Sequence, residues 1–576
     1  MRAPATLRRA AASLIAAALV TGCASIPTSG PVTKVADDTG LGQSTVRYSP
    51  ALPTDDASPS EIVRGYLDAM LAYPSSTRTV TAFLTPSASR EWHPQSGVVV
   101  YDGPHIAVQA DERAHRKTGG GTTVDVTVDE LGRIGADGRF TQGRGGRALT
   151  FHLEQVDGQW RIDDPVDGLL VTEKFFADYF RAFDVYFFDQ PAKRLVPIPV
   201  HLPVDDRLAA ALIGILARGP GTKGLVSFVP GPKVLRPTVP VDDGVADVGF
   251  LSENSPERDS DRLSAQVVWT LRQVPALRGV RISIGQQPLS PAGSSVQSLS
   301  AWSEYDTDDV WNDVYGLRDG HVVQLNGSSV EAFPGTWGRG DRGLRAVAVG
   351  GDLLAVLDAG RSRVRVVTQR GKTRATIDGS RFLSPVVDAD GAFWLVDRTG
   401  GRVRVRIAED DAVRTAPLGR FDADLDVRSF AVSPDGARYL VTVGSGAEAS
   451  VRVGRIERSA KDVVVGLGAP RVIETSAGPV RSAVWVDGTT VAYLGPGRSG
   501  QQVLTRHVDG SSTSAGPFSG RTTLPDIDPQ GLAIGSGPSG DRYVTGRDGT
   551  VWYLGPAGSW GTVESKDPVT GLSVGR

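Results

Sequence analysis

The spacing of apolar residues changes character several times along the chain, and each change predicts a different element. An uncharged, alanine-rich run from Ala10 to Val20 follows the basic residues Arg2, Arg8 and Arg9. It is too short to cross a bilayer, which takes about 20 residues, and its basic flank fits the hydrophobic region of a secretory signal. Between residues 24 and 57 the periodicity disappears among Ser25, Pro27, Thr28, Gly30, Pro50, Pro53 and Asp55. That composition predicts a tether, because it cannot bury enough surface to offset the entropy of ordering. Ser58-Pro59-Ser60-Glu61 then marks a capped helix start, with Ile62, Val63, Tyr66, Leu67 and Met70 on one face and Pro74 as the stop. Val80–Leu84 predicts a second short helix before Pro86. From Val98 the period becomes two. Strands are expected at Val98–Tyr101, Thr122–Val128 and Ala148–Gln155, the last turning through Asp157-Gly158 onto Gln159–Ile162.

Mixed periods follow. Val185–Phe188 and Leu195–Pro199 predict a hairpin, and Asp206–Arg218 an amphipathic helix ended by Gly219-Pro220. A hairpin at Asp243-Gly244, a helix near Asp261–Gln273 and a strand Val280–Ile284 complete a small α+β layer. Beyond Trp302 the helical period vanishes. Asp-Gly or Gly-Gly turns flanked by apolar runs recur at Asp319, Gly350, Asp390, Asp435 and Asp487, 31 to 52 residues apart. One similar inner strand is expected per unit, at Leu344–Val349, Pro385–Asp388, Ser429–Val432, Ala483–Val486 and Leu524–Ile527. Repeats of this length predict propeller blades, with a β-sandwich as the alternative, and each Asp-Gly is assigned to a tight hairpin that demands positive φ. The unmatched strands around Asp319-Gly320 and at Thr570–Val574 are expected to join the two ends of the region into one blade, for about six in all.

Composition sharpens this picture. Cys23 is the only cysteine of the 576 residues, so no internal disulfide can form. The net charge of −3 comes from 62 basic and 65 acidic residues without a long basic tract, which argues against a nucleic-acid partner. Reaction centres are hard to find. The histidines His93, His105, His115, His152, His201, His321 and His507 lack metal-ligand spacing, and no Gly-x-Ser-x-Gly elbow occurs. Gly219–Gly224 has the letters of a dinucleotide loop, but it follows a helix where that loop should start one. Gly371-Lys372-Thr373 lacks the upstream glycine of a phosphate loop. Asp422, Asp424 and Asp426 alternate like calcium ligands without the glycine and distal glutamate that such loops need. Asp388, Asp390, Gly391 and Trp394 approach an Asp-box, a structural turn. The expectation is therefore no catalytic residue, no metal and no cofactor.

Several stretches resemble known families. Val20-Thr21-Gly22-Cys23 resembles the lipobox of bacterial lipoproteins, which implies cleavage between Gly22 and Cys23 and acylation of Cys23, and two acyl chains anchor stably. The helices and curved sheet of 58–182 resemble the nuclear transport factor 2 superfamily. Asp205–Leu212, Arg218-Gly219-Pro220, Ala265–Val268 and Val280-Arg281-Ile282 resemble the GerMN domain, placing it at 183–290. Ser433-Pro434-Asp435-Gly436 resembles the turn of TolB-type propellers, within a propeller region of 300–576. With a signal peptide at 1–22 and a lipidated tether at 23–57, the order of modules resembles the LpqB family of actinobacterial lipoproteins. Its most specific mark here is Gly22-Cys23-Ala24-Ser25-Ile26-Pro27-Thr28-Ser29-Gly30-Pro31. That resemblance implies an extracytoplasmic protein, lipid-anchored to the cell membrane, that binds the sensor kinase MtrB of the MtrA–MtrB two-component system and influences cell-wall metabolism and division. An envelope glycan-processing enzyme and a solute-binding lipoprotein are the competing expectations.

Overall fold

The computed structural model describes residues 50–575 except 73–76, 111–120, 237, 252–258, 286, 291–292, 307–312, 340–342, 410, 476–477, 498–499, 514–523, 525–526, 536–540 and 556–557. Two compact units emerge. One is built from the described parts of Met1–Trp92, Val108–Val126 and Leu149–Pro165, the other from those of His93–Ala107, Thr127–Ala148 and Val166–Arg576.

In the first unit the helix Pro59–Met70 starts as expected. Ser58 Oγ accepts from the Glu61 amide at 3.4 Å and Glu61 Oε2 accepts from the Ser58 amide at 2.8 Å. Its buried face carries Ile62, Val63, Tyr66, Leu67 and Met70, with the Tyr66 ring edge-on to Phe151 at 5.9 Å. Two expectations need correction. The segment 50–57 does not end as a free tether, because Ala57 is buried and the Asp56 amide donates to Gln159 Oε1 at 2.8 Å. The second helix covers only Arg78–Thr81. Beyond it Leu84 forms a bridge with Ile162, and Thr85 is extended, since a residue before proline is pushed out of the α region. Thr85 then caps a further helix, Pro86–Glu91, that the pattern did not reveal.

The sheet strands are longer than their apolar cores suggested: Gly97–Ala110, Thr122–Gly135 and Phe140–Val156. Phe140–Val156 turns through Asp157 and Gly158, both at positive φ (52° and 79°), onto Gln159–Ile162. The fifth strand, Leu169–Thr172, is parallel to Gly97–Ala110, so the sheet is not wholly antiparallel.

In the second unit a hairpin, Phe180–Asp189 with Leu195–Pro203, precedes the helix Leu208–Arg218. Strand Val245–Phe250 lies parallel to Gly279–Ile284, with the helix Ser260–Leu271 between them in sequence. That helix and the residues just after it grip the free edge of the hairpin through their side chains. Gln273 accepts from the Asp184 amide at 2.8 Å and donates to the Asp184 carbonyl at 2.7 Å, while Gln266 donates to the Tyr186 carbonyl at 3.0 Å. Backbone groups that would otherwise be orphaned by burial are thereby satisfied.

Among the described residues the same unit contains six successive antiparallel sheets of a β-propeller-like domain. The chain's end completes the first of them: Val569–Gly575 pairs with Asp313–Arg318, for example Val314 with Val574 and Leu317 with Thr570. Four inner strands lie where the repeat placed them, at Leu344–Gly350, Val386–Val387, Val427–Val432 and Ala483–Trp485. The last inner strand is Pro529–Ile534; of the expected Leu524–Ile527, Leu524 and Ile527 are in no strand and residues 525–526 lie outside the described residues. The turn reading also changes. Among the described turns expected to mark the repeats, Asp319-Gly320 has both residues at positive φ (49° and 72°), whereas Asp390-Gly391 and Asp435-Gly436 have only the glycine there. Elsewhere an aspartate side chain organises the loop by accepting amides: Asp487 Oδ1 takes those of Thr489 and Thr490, both at 2.7 Å, and Asp435 Oδ1 takes that of Ala437 at 3.0 Å.

Candidate functional site

Gly22 and Cys23, with the rest of the signal and lipobox, lie outside the described residues, as does His115. Among the described residues no helix is long and apolar enough to cross a membrane, and no group of histidine, cysteine and carboxylate side chains could hold a metal. Asp424 faces Arg402 at 3.4 Å and Asp426 faces Arg428. The Asp-box letters do form a turn: Asp388 Oδ1 accepts the amides of Asp390 and Ala392, and Oδ2 accepts from Trp394 Nε1 at 2.8 Å.

The densest polar chemistry lies within the second unit, where the hairpin Phe180–Asp189/Leu195–Pro203 meets propeller loops. At the hairpin turn Arg194 is nearly buried. Its Nη1 donates to Asp189 at 2.9 Å and to Asp462 at 2.8 Å, and its Nη2 donates to Asp462 and Asp390. Burial alone would lower the Arg194 pKa, but these carboxylates raise it above the ordinary value. Burial likewise pushes Asp462 up, yet Arg194, Lys193 and Arg458 hold it down at about 2. Midway along the hairpin, Arg438 donates to Asp435, to the Gly488 carbonyl and to the Pro197 carbonyl. A Cβ at Gly488 would stand 2.8 Å from the Pro197 ring, so this turn needs glycine for close approach rather than for its φ.

On strand Leu195–Pro203, His201 Nε2 lies 2.9 Å from Asp509 Oδ2 and 3.2 Å from Ser511 Oγ, with the Phe176 and His507 rings beside it at 5.4 and 5.9 Å. Ser511 Oγ donates to Asp509 Oδ1 at 2.6 Å. A hydrolytic triad needs the serine and the carboxylate on different ring nitrogens. Here both address the same one, and Ser511 is 1% exposed. Burial pushes the His507 pKa below its ordinary value, against the pull of Asp509. For Asp509 burial acts upward, but the hydrogen bond and charge of His201 outweigh it and the net shift is down. Sequence spacing could not bring His201 to residues some 300 positions later. The available signal was a polar residue inside the apolar run Pro197–Leu202.

Three stretches of the chain match family models. Residues 52–177 match a family model described as "Lipoprotein LpqB, N-terminal domain", 184–290 one described as "Sporulation and spore germination", and 320–539 one described as "Lipoprotein LpqB beta-propeller domain". "Lipoprotein LpqB" of Thermobifida fusca is 26% identical, covering 93% of this chain and 95% of its own. The protein of that name from Streptomyces coelicolor is 26% identical, covering 88% and 89%. Among solved structures, the first GerMN domain of GerM from Bacillus subtilis matches with 25% identity and a TM-score of 0.17, over 20% of this chain and 97% of that one. TolB from Acinetobacter baumannii matches with 12% identity and a TM-score of 0.31, over 46% and 67%.

Proposed function

The chain belongs to the LpqB lipoprotein family, and from that premise we propose that it is anchored through an acylated Cys23 on the extracytoplasmic face of the cell membrane, where it binds the sensor kinase MtrB and biases its signalling. The observation that carries the anchor is the lone cysteine directly after Val20-Thr21-Gly22, in a family of lipoproteins. The kinase partner rests on family resemblance. The histidine–carboxylate–serine cluster gives its serine neither a relay nor access to solvent, so it lends nothing to a serine-hydrolase reading. In this reading the domains are 58–182, of nuclear transport factor 2 type, 183–290 and 300–576, each propeller sheet being one of six blades.

Two measurements test it. Cys23→Ala should leave the precursor uncut or release the protein from membranes. Mature-size protein that stays with membranes after a high-salt wash would place the anchor elsewhere. Titrating the purified chain against the outer domain of MtrB should give saturable binding. Its absence, together with turnover of wall glycans, would favour the envelope-enzyme reading.

A further inference from the structure

The second unit carries an open cavity of about 450 Å³ whose wall includes Arg139, Arg420, Arg438, Arg455 and Arg471. That volume lies within the range of small-molecule sites, about 300–1,000 Å³. Most of these cations already have partners. Arg139 faces Asp137 at 3.5 Å, Arg420 faces Glu457 at 3.1 Å and Arg438 faces Asp435 at 2.9 Å. The one carboxylate on the wall, Asp509, is taken up by His201 and Ser511. Two guanidinium groups remain without a carboxylate among the described residues. Arg471 donates to the Val508 carbonyl at 2.7 Å. Arg455 makes no side-chain hydrogen bond or ion pair there, although it is only partly exposed.

Strand geometry aims both toward the cavity. Val453 and Arg455 are two apart on Ser450–Arg458 and so share a face, and Val453 pairs directly with Arg471. The opposite wall is apolar, from Phe140, Ile198 and Pro199. A partly desolvated cation that no carboxylate contacts directly is costly unless something supplies the anion. Burial, then repulsion from Arg438, lowers the Arg455 pKa to about 10, and the more distant charges of Glu457 and Asp435 only partly offset this.

We propose that this cavity binds a small ligand carrying an oxyanion, phosphate or carboxylate, on an apolar body, with Arg455 as its main contact and Arg471 beside it. A planar guanidinium fork suits either oxyanion bidentately. The proposal is independent of the kinase partner, since it concerns a small molecule and a single cavity.

The test is a calorimetric titration of the purified chain with inorganic phosphate and, separately, with citrate, against sodium chloride at matched ionic strength. Saturable binding of at least one probe is expected, and the preferred probe separates a phosphate-bearing from a carboxylate-bearing ligand. Arg455→Gln should weaken that binding at least tenfold. It should melt no lower than wild type in chloride, because it removes a charge that makes no bond. Arg428→Gln, outside this cavity, should leave binding unchanged. Heat indistinguishable from the chloride control for both probes, or undiminished affinity in Arg455→Gln, would overturn the proposal.

Discussion

The hairpin Phe180–Asp189/Leu195–Pro203 is tied to the propeller by two anchors of opposite chemistry. At its turn Arg194 holds Asp189, Asp462 and Asp390 with a charge that no ordinary pH removes. On its second strand His201 holds Asp509 and Ser511 beside a second histidine, His507, whose pKa burial lowers. The two also differ in what breaking them leaves behind. Loss of the Arg194 guanidinium leaves Asp189, 6% exposed, with the amides of residues 193 and 194 but without the counter-charge of Arg194, whereas Asp509 would keep the hydrogen bonds from the Ser511 hydroxyl and amide beside the His507 ring. The contrast predicts one anchor that is strong and insensitive to pH, and one that is weaker and adjustable.

The severest way to break the comparison is to remove the ring that carries both partners' loops. Deleting 569–576 strips Val569–Gly575 from Asp313–Arg318 and exposes the edge that it covers. Val569 is fully buried, so the loss reaches the core rather than a frayed terminus. The truncated chain should lose cooperative melting of the propeller, seen by near-ultraviolet circular dichroism. An unchanged melting profile would refute closure through this strand.

Next in size is Arg194→Met, which keeps much of the side-chain volume and removes the charge. Breaking a buried pair from one side costs about 3–5 kcal/mol, because the charge left behind, here that of Asp189, is uncompensated. Urea unfolding should show this loss at pH 7.5 and at pH 5.5 alike. His201→Leu should cost less, about 1–3 kcal/mol, as Asp509 loses its strongest donor but stays hydrogen-bonded. Equal costs for the two variants would erase the distinction between the anchors.

How much of this the sequence reveals depends on whether its cause is local. The helix Pro59–Met70 was legible because Ser58 and Glu61 are three residues apart and its stripe is regular. The closing strand was legible because each end of the propeller region showed a strand without a mate. Strand lengths were not, since glycines such as Gly132, Gly143 and Gly145 interrupt the alternation; Gly132 is there because any Cβ would strike the Phe140 ring, 2.1 Å away. The parallel strand Leu169–Thr172 escaped because parallel pairing leaves no turn signal. The polar anchors were beyond reach for a different reason. Arg194 looks like an ordinary surface residue, and His201 like a lone polar interruption of an apolar run, until the fold brings partners about 270 and 310 positions away against them.

The smallest effect sharpens the comparison most, because it should appear in one anchor and not in the other. Burial holds the His507 pKa below its ordinary 6.5, with Asp509 and Asp487 pulling up and His201 pushing further down. The folded state thus keeps this ring neutral where the unfolded chain takes up a proton. More protons bound in the unfolded state means that stability falls as the pH falls. Full stability is present above about pH 6.5 and drains away as the pH drops toward the lowered folded value, with a slope of at most about 1.4 kcal/mol per pH unit for one proton. Asp509 acts with the same sign but lower, its contribution being lost only below its ordinary 3.8. Asp462 at the Arg194 anchor, held at about 2, is also unaffected above that range. Urea unfolding at pH 7.5 and 5.5 should therefore show wild type less stable at the lower pH, and His507→Gln should reduce that difference. Arg194→Met should retain the pH difference in full. If His507→Gln leaves the difference intact, the titrating group is another one and the His201 anchor is no more adjustable than its neighbour.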